Sequence, residues 1–189
     1  MIDTPPAPLP AQEQVIEQKL LDCGLKVEGF TVKYEDYLQS IEIVVTPNAG
    51  ATSEDFACIR EAAFPEIVRF EDLVMYGNYV AFQEELVRPQ VLADAEAALR
   101  ERGLWDEFPE RAAFTSLKDY VRALEKHAGI APGSTLRVEG DRLIFDPPRV
   151  DEGYAVAATQ YSVILMVMVY AAAKERLNLG FIGNDKFRE

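Results

Sequence analysis

The longest apolar run in the chain, residues 155–179 (AVAATQYSVILMVMVYAAAKERLNL), contains neither Pro nor Gly and constrains the fold more than any other segment. Between 163 and 169 every residue is apolar. A helix there has no polar side to turn to water and must be surrounded by protein or by lipid. Ala, Leu, Met, Lys, Glu and Arg carry its helix propensity against the valines. Gly180 is the expected stop, free to take the left-handed conformation just past the helix end. At 1.5 Å per residue, 155–173 would run roughly 28 Å, close to the ~30 Å of a bilayer core. Composition points to protein as the surrounding: Gln160 falls inside the span, and alanines supply little transfer energy. The segment reads as a long buried C-terminal helix. Its small residues 171–173 invite close approach of another backbone, with Gly77 and Ala81 as candidates to receive it.

A chain of 189 residues that is 49% hydrophobic and 27% charged can bury a core without staples. The simplest organisation is a proline-rich lead over 1–10 and one domain over 11–189. Net charge is −13, the wrong sign for binding a phosphate backbone, so nucleic acid is not an expected partner. A basic partner is. The lead has no basic n-region and no apolar h-region, so it is not a signal peptide. It fits a mature extracytoplasmic N-terminus after signal removal, with a cytoplasmic start as the alternative.

Residues 11–22 are expected to form a helix that Gly24 ends. Two alternating strands follow: Phe30, Val32 and Tyr34 share one face, as do Ile41, Ile43 and Val45, with a bulge expected at Gly29. Thr52 and Asp55 have capping-box spacing ahead of a helix carrying Phe56, Ile59 and Ala63. Residues 67–70 are a short third strand. A helix from Glu71-Asp72 runs to about 87, and Pro89 either kinks it or starts another that Gly103 ends. Ser116 caps a further helix to 128, and 135–139 with 142–146 form a second hairpin about Gly140-Asp141. No internal repeat is visible. These elements predict an α+β fold: a small antiparallel sheet of two hairpins plus a short strand, packed with helices, the C-terminal helix buried.

Few residues carry chemistry. Cys23 and Cys58 are the only cysteines, one closing a helix and one within another; a disulfide and two packed thiols both fit. A Cys58–His127 dyad would need tertiary coincidence, and one His with two separated Cys makes neither a metal site nor an activated nucleophile. No phosphate loop, dinucleotide fingerprint, nucleophile elbow or EF-hand spacing is present, so no cofactor is implied. The most suggestive feature is aromatic: Tyr76, Tyr79 and Phe82 recur every third residue, as a binding groove or as a core stripe. The expected function is a non-catalytic acidic binding or interaction protein, taking a basic or small-molecule partner. Alternatives are a small enzyme using Asp, Glu and Tyr, and a membrane-associated protein held by 155–173.

Overall fold

The structure is a computed structural model that describes residues 11–148 and 161–181. The chain divides into two compact units, Met1–Leu86 and Val87–Glu189. Each has its own three-stranded sheet and its own core. The α+β expectation holds, with five helices and two small sheets among the described residues.

In the first unit, α1 (Gln12–Asp22) buries Ile16 and Leu20, one turn apart. Gly24 takes φ +90, which lets the Leu25 amide reach back to the Leu20 carbonyl at 3.2 Å. This is the left-handed helix stop that glycine adopts without steric cost. β1 (Phe30–Glu35) and β2 (Ser40–Val45) pair antiparallel, Phe30 opposite Val45 and Tyr34 opposite Ile41, placing the two predicted apolar rows on one face. Gly29 makes no bulge. It ends a 3-10 turn, and a side chain there would run into the Ala49 backbone. Thr52 and Asp55 cap as expected, and α2 (Phe56–Ala63) carries the chain to β3 (Ile67–Phe70). Leu20, Ile43, Phe56, Ile59, Val68, Phe70 and Tyr79 fill the core.

The expected purely antiparallel sheet is corrected here. β3 lies parallel to β2, because a helix connects them and returns the chain to the end at which β2 began. The second unit repeats this order. α4 (Leu117–His127) precedes the hairpin of β4 (Leu136–Glu139) and β5 (Arg142–Phe145). Then α5 (Ser162–Glu175) leads to β6 (Asn178–Phe181), parallel to β5. Helix, hairpin, crossover helix and parallel strand therefore occur twice, although no sequence repeat announces it. α1 and α4 are both 11 residues long. At the end of α4, Gly129 (φ +75) lets the Ile130 amide reach the Glu125 carbonyl at 2.8 Å, matching Gly24, Leu25 and Leu20.

α3 (Leu73–Glu101) runs through the unit boundary with Pro89 inside it. Tyr79 belongs to the first core, Ala95 and Leu99 to the second. A Cβ built at Gly77 would meet nothing within 4 Å among the described residues. The C-terminal helix also differs from expectation. It ends at Glu175, with Arg176 left-handed at φ +55, and Asn178–Phe181 is a strand. Pairing with β5 prevails over helix propensity there; residues 155–160 of the expected helix lie outside those described. No helix among the described residues is long and apolar enough to cross a membrane.

Where the first unit has Leu20, the second has Glu125, fully buried. Its Oε1 accepts the Thr135 and Leu136 amides at 2.7 Å each, and its Oε2 accepts the Gly133 amide. The carboxylate thus fastens the α4–β4 connection to α4 by three charge-assisted bonds. Replacing Glu125 by Leu, the residue α1 uses, strands those buried donors. We expect Glu125→Leu to cost about 3 kcal/mol and Glu125→Gln, which keeps one carbonyl oxygen, about half that, in urea unfolding of the full chain. An unchanged midpoint for Glu125→Leu would show that the connection is held by other contacts.

Candidate binding surface

The aromatic triplet on α3 is divided. Tyr79 is 1% exposed, and its ring packs against Phe56 and Phe70, each at 5.2 Å between centroids, with Phe82 also in the cluster. Its hydroxyl lacks a hydrogen bond of good geometry; Gln83 is near enough to oppose, without cancelling, the rise in pKa that burial imposes. Only Tyr76 keeps substantial exposure. The triplet is therefore mainly a core stripe.

A second tyrosine cluster lies in the other unit. Tyr120 is fully buried with an unpartnered hydroxyl, and its pKa is raised by desolvation first, then by Glu175 and Glu110, with Arg111 opposing. It stays neutral far above physiological pH. Around it the 104–114 connection is pinned: Trp105 and Phe108 stand edge-on to Tyr170 at 5.3 and 4.8 Å, and Lys174 bridges both oxygens of Glu110 at 2.9 Å. His127 is used in the same way, its Nε2 lying 2.7 Å from the Leu104 carbonyl oxygen. The sole histidine and the buried phenol serve packing.

Cys23 and Cys58 lie at disulfide distance, Cα atoms 5.7 Å apart, joining the end of α1 to the middle of α2. Cys58 is exposed and Cys23 half-buried. They line an open cleft of about 270 Å³ with Lys19, Asp22 and Glu61. In the second unit the residue matching Cys23 is Ala128.

The two units differ most at their surfaces. Met1–Leu86 contains 16 carboxylates against five Lys and Arg, a net charge of −11, while Val87–Glu189 contains 16 against 14. Ten of the twelve exposed large apolar residues among those described also belong to the first unit. Four of them share one end of its sheet, where the β1–β2 hairpin turns: Tyr37 (74% exposed), Phe64 (72%), Tyr34 (49%) and Ile67 (42%). Strand register places Tyr34, opposite Ile41, and Ile67, opposite Glu42, at that end, on opposite faces of the sheet; Tyr37 lies in the hairpin turn and Phe64 just before β3. Glu66 confirms it. One oxygen accepts Ser40 Oγ at 2.8 Å and the Ile41 amide at 3.0 Å, and the other accepts Gln12 Nε2 at 2.7 Å. All three donors are neutral. Glu35 and Glu42 are balanced by Lys33 and Arg69, but no ion pair among the described residues neutralises Asp36 or Glu66. The sequence singles out neither Phe64 nor Tyr37.

No protein family, no curated protein and no solved structure matches this chain.

The position of the cysteines yields a direct check. Thiol alkylation of native, oxidised chain should label neither cysteine, and both after mild reductant without denaturant, because Cys58 is open to solvent. Loss of a bridge spanning 35 residues should then cost about 3–4 kcal/mol. Two labelled cysteines before reduction would show that the pair is not bonded.

Proposed function

We propose that the chain is a non-catalytic binding protein whose acidic first unit recognises a basic protein partner. The observation that carries this reading is the segregation within one chain: the first unit holds −11 of the −13 charges together with most of the exposed large apolar side chains. A purely solubilising surface has no reason to concentrate both. Charge of one sign speeds encounter with the opposite sign and selects against wrong partners, while exposed aromatic residues supply the contact area that holds a complex. These side chains are exposed rather than enclosed, which suits a protein better than a small molecule.

The test uses the full chain as bait against the lysate and envelope fraction of its source, at low and high salt. Two variants have equal net charge: Glu17, Glu28 and Glu61 changed to Gln in the first unit, or Glu101, Asp106→Asn and Glu139 neutralised likewise in the second. All six are exposed. A basic protein eluted by salt should bind the first variant about tenfold more weakly and the second within about twofold of the parent. Equal weakening by both, or no basic protein retained, would overturn the reading.

A further inference from the structure

We propose that the hairpin end of the first sheet is where the partner docks. Its occupant is a segment that alternates Lys or Arg with large aliphatic or aromatic side chains, laid across Tyr37 and Phe64 with its cations toward Asp36 and Glu66. This rests on the binding reading above and adds the place and the chemistry of the contact.

Tyr37 lies in the hairpin turn and Phe64 at the end of α2, the two nearly three-quarters exposed. Both could be polar without disturbing the core, since neither belongs to the buried cluster. Aromatic side chains so placed bury large area on contact and lose little rotamer freedom, which is why they recur as interface anchors. Charge decides which partner uses them. An uncharged apolar segment would cover Asp36 and Glu66 and leave two carboxylates desolvated without a paired cation, a penalty of the kind that excludes wrong partners. A cation on the same segment removes that penalty. Glu66 is already held in a fixed orientation by Gln12, Ser40 and the Ile41 amide, so an incoming ammonium or guanidinium meets a carboxylate that need not be ordered on binding. Of the nearby cations, Arg69 is engaged with Glu42, and Lys33, paired with Glu35, also attracts Asp36 without forming an ion pair with it.

The experiment titrates the full chain with two synthetic peptides at about 0.15 M salt, where long-range attraction is largely screened. One is an 18-residue peptide of alternating Leu and Lys, and the other is oligolysine of equal charge. The Leu–Lys peptide should bind at least about tenfold more tightly than oligolysine, and hydrogen exchange should slow around 36–41 and 64–68. The exposed double variant Tyr37→Ser, Phe64→Ser should keep its unfolding midpoint and bind the Leu–Lys peptide no better than oligolysine. If the Leu–Lys peptide binds but the double variant retains the difference, or the protected amides lie elsewhere, this site is wrong while the basic-partner reading stands. If neither peptide binds even at low salt, both fall.

Discussion

A sheet of three strands, each four to six residues long, cannot bury a face unless something crosses it. Here the crossing element is also the connection. α2 and α5 each leave the middle strand of their sheet, cover it, and deliver the chain to a third strand that must then run parallel. Everything else is arranged around this step. α1 and α4 complete the helical layer, and the glycines that end them turn the chain back toward the first strand at the same point in each unit.

The two units secure the same frame by different chemistry. In the first, α1 meets α2 with Cys23 and Cys58 at bonding distance, and the interior position of α1 is an ordinary Leu20. In the second, Ala128 stands where Cys23 does, and the corresponding interior residue is Glu125, whose carboxylate holds the following connection by its backbone. A buried charge is tolerated only when it is saturated with donors, and three amides achieve that. The second unit also has the larger aromatic investment, with Trp105, Phe108, Phe114, Tyr120 and Tyr170 around its connections, and so leaves little apolar surface in water. The first unit places its large apolar side chains outside as well as inside.

What could be read in the sequence was what local rules govern. Strict alternation identified both hairpins and the correct faces of β1 and β2, and Thr52, Ser116, Gly24 and Gly103 marked helix ends by side-chain or backbone chemistry. What could not be read depends on residues distant in sequence. Asn178 and Leu179 look like the last turn of a helix until β5 is present to pair with them. Glu125 sits in an amphipathic helix where a charged residue ordinarily faces solvent, and nothing before Gly133 reveals its partners. Tyr76, Tyr79 and Phe82 have one period whether they line a groove or a core, and only Phe56 and Phe70 decide it. The charge segregation was present in the residues throughout. It was hidden because the unit boundary falls inside α3, without the Gly- or Pro-rich linker that usually divides a chain.

The pairing of Cys23 with Cys58 has a topological consequence. When closed, it makes residues 23–58 a covalent ring, and β1, the exposed turn at 36–39 and β2 all lie within it. A protease that cuts this turn opens the ring but leaves the chain in one piece, with α1 still attached and the two strands still held side by side. The corresponding turn of the second unit, Gly140-Asp141, lies in no ring, since the chain has no further cysteines. A cut there divides the molecule into fragments joined by packing alone. The unit proposed to offer its hairpin turn to a partner is thus the one whose hairpin survives being cut.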